Sequence, residues 1–160
     1  MLNTEPLGVI GTLEALTSVA WRERLNVKMY KFARDLTDRG KDRADKMRLI
    51  IDDLHRRFVY APDPVNEVIG PVSIDGGSAD ADDMCLFVAT VAMSVGIPCR
   101  FVGAFYLVGR QRGFWTLLLS YESEDGSWKT VDVLRQTFGG ISLEQRGPDE
   151  SVMGPIPGSS

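Results

Sequence analysis

The sequence is poor in the side chains on which most hydrolytic and metal-dependent chemistry rests. It has a single histidine, His55, which excludes any mechanism that needs a pair of imidazoles. Its two cysteines, Cys85 and Cys99, both sit in apolar runs, with no metal-ligand spacing and no disulfide framework. They read as buried thiols of a protein made in a reducing compartment. No stretch approaches the roughly 18 apolar residues of a membrane span, and the N-terminus lacks the basic segment of a signal peptide. No Lys/Arg run or basic–aromatic stripe points to nucleic acid. The expectations are no cofactor, no metal, no nucleic acid and no membrane.

What is present is ordinary in amount and uneven in arrangement. A chain of 160 residues, 44% hydrophobic and 25% charged, is expected to form one soluble domain large enough to bury a core. The net charge of −4 divides into +3 over residues 1–60 and −7 over residues 61–160. Such asymmetry fits head-to-tail packing in a homo-oligomer, and equally fits ordinary solvated helices in the basic half.

The chain is organised around residues 76–96, GGSADADDMCLFVATVAMSVG. A loop of Gly, Ser and Asp runs into a helix that is apolar in nearly every direction and is therefore predicted to be buried all round. Asp80 is the expected N-cap, with Asp83 three residues on as a first-turn acceptor, and Gly96 followed by Pro98 ends the helix. Asp80, Asp82 and Asp83 also raise a carboxylate cation site. Capping is the favoured reading, because neighbouring acids point to different sides of a helix and the helix dipole already accounts for them.

Before this stretch the pattern is helical. A short helix is expected over Thr12–Ala20, packed on its own core or serving as an arm on a neighbouring subunit. A charged amphipathic helix follows from Trp21 to about Asp38, with Leu25, Met29, Phe32 and Leu36 on one side. A third runs from Arg43 to Arg57, capped by Asp42, with Met47, Ile50, Ile51, Leu54 and Phe58 as its core stripe. His55 beside that stripe reads as a partly exposed helix histidine. An extended segment over 58–64 and an irregular loop over 65–79 lead to the central helix. After Gly96 the period changes: 99–109, 114–122 and 128–134 read as strands, joined by turns at 110–113 and 123–126. The predicted class is α+β, helices followed by an antiparallel meander. The expected divisions are an N-terminal arm or short helix at 1–20, the domain at 21–138, and a flexible or partner-ordered tail at 139–160.

Four segments, RRFVYAPDP, DGGSADADDM, VGIPCRFV and GSWKTVDV, occur in an order and at spacings that resemble the transglutaminase-like cysteine hydrolases. These have a papain-like fold, and the likeness, over about Met29 to Leu134, is closest to the small versions encoded by bacteriophages. The resemblance implies a thiolate at the central helix N-terminus, an imidazole on the following strands and an acid to orient it. Carried over, the nucleophile falls on Ala81, which can neither ionise nor attack. The histidine falls on Thr116, or on Phe114 or Trp115 if the turn differs, and the acid on Asp132. Two of the three roles are vacant, and Asp132 is then expected to be structural. Cys85, one turn past Ala81 on the same face, is a weak substitute nucleophile with no histidine partner. The resemblance therefore implies an inactive protein acting through contacts with other phage structural proteins of the capsid, connector or tail, in the host cytoplasm and then the virion. The alternative is an active or regulatory cysteine-hydrolase-like protein with a rearranged site.

Overall fold

The structure, a computed structural model, describes residues 6–61, 77–108 and 112–158. Its centre is helix α4 (Ala81–Ser94), in which every residue from Met84 to Met93 is buried. Asp80 caps it: its carboxylate accepts the Asp83 amide at 2.8 Å, and the Asp83 carboxylate accepts the Asp80 amide at 3.3 Å. At the other end Gly96 adopts a left-handed conformation with φ +84°. The amides of Gly96 and Ile97 then reach back to the carbonyls of Met93 and Ala92, at 3.1 and 3.0 Å. That pair of bonds closes the last turn without a Cβ penalty.

Three helices surround α4: α1 (Pro6–Glu23), α2 (Val27–Thr37) and α3 (Arg43–Arg57). In α1 the buried residues Val9, Leu13, Leu16 and Ala20 recur at 3–4 spacing and join the core of this chain. The helix is longer than the expected Thr12–Ala20 and packs on its own fold. It ends where one continuous helix was expected. Asn26 accepts the amides of Lys28 and Met29 at 2.9 and 3.3 Å, starting α2 afresh, and Leu25 stands 72% exposed in the turn instead of on a core stripe. The end of α3 leads into β1 (Phe58–Tyr60), which pairs in parallel with β2 (Gly77–Ala79), Phe58 opposite Gly77 and Tyr60 opposite Ala79. That pairing delivers the chain to Asp80. Most of the extended segment and loop read at 58–79, and the turn at 110–113 as far as Gln111, lie outside the described residues.

The remaining side of α4 lies on an antiparallel sheet of β3 (Cys99–Val108), β4 (Arg112–Glu122), β5 (Trp128–Val131) and β8 (Glu150–Met153), in the order β5-β4-β3-β8. Alternation divides the sheet's two faces. Phe101, Trp115, Leu117, Leu119 and Tyr121 join the α4 core, whereas Val102, Ala104, Tyr106 and Leu118 form a second, smaller core with Leu143. Between β5 and β8 come β6 (Thr137–Phe138), β7 (Ile141–Ser142) and a single-turn α5 (Leu143–Arg146) that covers the second face.

The expected tail at 139–160 is thus part of the fold as far as it is described. β8 pairs with β3, Val102 opposite Met153 and Phe105 opposite Glu150. Arg100 holds the Gly154 carbonyl through Nε and Nη2 at 3.0 and 2.7 Å. A strand of four residues between Gly and Pro positions has too few turns of any period to be read locally, which is why it resembles a tail in sequence. The third strand also stops earlier than expected, at Val131, because Asp132 turns the chain.

Candidate functional site

Ala81 opens α4 and is 5% exposed, in the first turn that the Asp80–Asp83 box caps. Burial first, and the Asp80 carboxylate next, push the Asp83 carboxyl up to about 6. Asp82 is raised for the same two reasons in the same order, and its Oδ1 is buried without a hydrogen-bond partner among the described residues. Among the described residues no group of three or more His, Cys, Asp or Glu is arranged to hold a metal ion. The first turn is therefore electronegative, the reverse of the surroundings that lower a thiol's pKa.

One turn further on, Cys85 is wholly buried and its Sγ donates to the carbonyl of Leu117 at 3.8 Å. Leu117 lies opposite Gly103 on β3 and beyond the Leu119–Val131 pair at which β5 ends. Burial, followed by the Asp132, Asp82 and Asp80 carboxylates, pushes the thiol well above its ordinary pKa. A Cys85 nucleophile requires the opposite shift.

Thr116 lies opposite Ala104 on β3 and shares the second sheet face with Phe114 and Leu118. Phe114 stacks on Tyr106, and Trp115, on the α4 face, packs on Phe105. Asp132 is 4% exposed. Its carboxylate accepts the amides of Gln136 and Leu134 at 2.6 and 3.2 Å and the Gln136 side-chain amide at 3.2 Å. The turn so formed carries Arg135 at a left-handed φ of 53°. Burial raises the Asp132 pKa, and these amide bonds offset part of that rise.

Gln136 joins the two expected positions. Its Nε2 donates to Thr116 Oγ1 at 3.0 Å as well as to Asp132. A neutral amide thus occupies the place between strand and acid. The structure brings Thr116 and Asp132 together through Gln136, and Cys85, one turn after Ala81, bonds β4 at Leu117. Gln136 is legible only afterwards: its four-residue separation from Asp132 belongs to no periodic element. His55 also comes nearer than its sequence setting suggested. Its Nε2 lies 2.7 Å from the carbonyl of Val133, so that nitrogen carries the proton and donates. With Phe58, Tyr60, Met84, Leu134 and Gln136 it lines a cavity of about 240 Å³.

No family model matches the chain, and no curated protein matches it. Solved structures do. The chain is similar to a candidate protease from Parabacteroides distasonis, with 17% identity and a TM-score of 0.56 over 89% of this chain and 30% of that one. It is also similar to a candidate cysteine protease from Cytophaga hutchinsonii, with 16% identity and a TM-score of 0.56 over 96% of this chain and 55% of that one. The chain spans about a third and about half of the lengths of these two proteins. At such identities the likeness is one of fold: helices packed on an antiparallel sheet, as in protease-like proteins.

Proposed function

We propose that this chain is a non-catalytic protein on a papain-like, transglutaminase-like frame, working through protein–protein contacts as a structural or assembly component of a bacteriophage particle. The observation that carries the reading is the content of the site. A buried methyl occupies the first turn of α4, and the Gln136 amide spans Thr116 and Asp132 where a base would have to stand. Neither supplies a nucleophile or a proton acceptor for acyl transfer. The frame persists because α4 and its sheet are the core, and removing the chemistry leaves their packing untouched. Ala81, Thr116 and Asp132 are all buried, which weighs against an open substrate groove at these positions. The phage setting rests on the resemblance to phage-encoded members of the family.

Quantitative mass spectrometry of purified particles tests the reading. A fixed copy number that matches a ring or lattice symmetry is the expected result. Absence from particles, with the protein free in the lysate, overturns it.

A further inference from the structure

A cavity of about 190 Å³ lies between α3, the end of β4 and the turn after β5, and neither Ala81 nor Thr116 lines it. Met47 and Ile51 of α3 and Val131 of β5 give it apolar walls. Tyr121 of β4 lines it as well. That residue is 4% exposed, yet its hydroxyl has no hydrogen-bond partner among the described residues. The one buried side-chain polar atom sealed off without a partner among those residues is Asp82 Oδ1, so the Tyr121 hydroxyl opens into the cavity. A buried tyrosine usually satisfies its hydroxyl. Here the complement has to come from whatever fills the space.

Charge decides what that is. Arg48 and Arg135 stand on the lining, but both are neutralised, Arg48 by Asp45 at 2.6 Å and Asp52 at 3.4 Å, and Arg135 by Asp52. The oxygens of Asp132 accept the amides of Leu134 and Gln136. Glu144 differs. Its Oε1 accepts the Asp132 amide at 2.9 Å, and the carboxylate has no cationic partner among the described residues. Burial first, and then the Asp42, Glu124 and Glu144 carboxylates, push the Tyr121 hydroxyl above its ordinary pKa. Acids alone supply the charge in that shift, so the field at the hydroxyl favours a positive occupant. The occupant therefore brings donors and positive charge into a space with apolar walls. An ammonium is strongly hydrated, whereas a guanidinium is more weakly hydrated, planar, and carries five N–H donors in a fork that fits a carboxylate. Pockets for whole ligands span about 300–1,000 Å³. A space of about 190 Å³ suits a single side chain.

We propose that this cavity receives the guanidinium of one arginine side chain from a partner protein, paired with Glu144 and bonded to the Tyr121 hydroxyl. The proposal rests on the binding reading above only in taking the occupant from a protein, and its test on the isolated chain is decided without reference to any particle. The nitrogen-15-labelled full chain is titrated with acetyl-arginine amide, with its neutral isostere acetyl-citrulline amide, and with acetyl-lysine amide, following the backbone amides of Ile51, Tyr121 and Val131. The arginine probe is expected to shift all of these saturably at millimolar concentration, the citrulline probe to shift none, and the lysine probe to bind about tenfold more weakly. Glu144→Gln keeps an acceptor for the Asp132 amide and loses the charge, and is expected to abolish the saturable shift. Tyr121→Phe keeps the ring and loses the hydroxyl, and is expected to weaken arginine binding about tenfold, or about 1.4 kcal/mol. No saturable shift with arginine, the result for a cavity that holds water only, overturns the proposal. Equal binding of citrulline or lysine does so as well, as does undiminished binding by either variant.

Discussion

A buried carboxylate that already accepts three hydrogen bonds has little capacity left for a substrate, and Asp132 is in that position. Its donors are two backbone amides and the Gln136 side chain, and the same side chain is the partner of the Thr116 hydroxyl. Gln136→Ala is expected to cost about 1–3 kcal/mol, because it strips a donor from two buried acceptors at once; urea denaturation measures it, and an unchanged midpoint contradicts the assigned role. Asp83 carries a pH dependence. Its folded pKa of about 6 lies above the ordinary 3.8, so the native state holds the proton more tightly than the unfolded chain. The stability it contributes is full below about pH 4 and is lost as the pH rises through about 6. Solvent screens the half-exposed group, which leaves an effect on the order of 1 kcal/mol. Asp83→Asn retains an acceptor for the Asp80 amide and removes the titration. Between about pH 4 and 7 the variant is expected to gain stability relative to the parent by that amount. Parallel stability profiles for the two proteins contradict the assignment.

Among the elements, those whose determinants are local were the legible ones. The Asp80–Asp83 box, the left-handed Gly96 and the stripe Met47, Ile50, Ile51 and Leu54 are each written within a few residues, and each is found where the pattern put it. The break between α1 and α2 has only Asn26 to mark it, with no Gly or Pro, and the amphipathic pattern ran across it. β8 was not legible, because what fixes it is distant in sequence: Arg100 on the Gly154 carbonyl, and the Gly154 amide on the Phe101 carbonyl at 2.7 Å. The site divides in the same way. Asp132 is reached only through the resemblance of its TVDV segment, whereas Gln136 acquires a role only when β4 and the turn after β5 meet. Gly154 gives β8 its own test. A Cβ there would lie 2.8 Å from the Phe101 oxygen and 3.3 Å from the Leu13 Cβ, so the backbones would have to part. Gly154→Ala is expected to cost about 1–3 kcal/mol. Each kcal/mol corresponds to a fall of roughly 2–4 °C in Tm for a chain of this size. A variant as stable as the parent shows that the strand end yields freely.

In the molecule as a whole, stability is expected to grade outward from α4. Its amides from Met84 to Met93 are enclosed by three helices and the sheet, so they exchange only when the entire fold opens. The short β6–β7 pair and α5 are expected to exchange earlier through local opening. Hydrogen-exchange mass spectrometry resolves the two classes, and α4 exchanging as fast as α5 contradicts the grading. The place of β8 also has a consequence for synthesis. A ribosome makes β3 and β4 in succession, and they can pair as soon as both have emerged. The other edge of β3, at Val102–Phe105, stays open until Glu150–Met153 have been added. A nascent chain arrested before that point carries an unpaired strand edge, a template for joining a neighbour on the same polysome. β8 thus shields that edge of β3 only after some thirty further residues beyond β4 have been added.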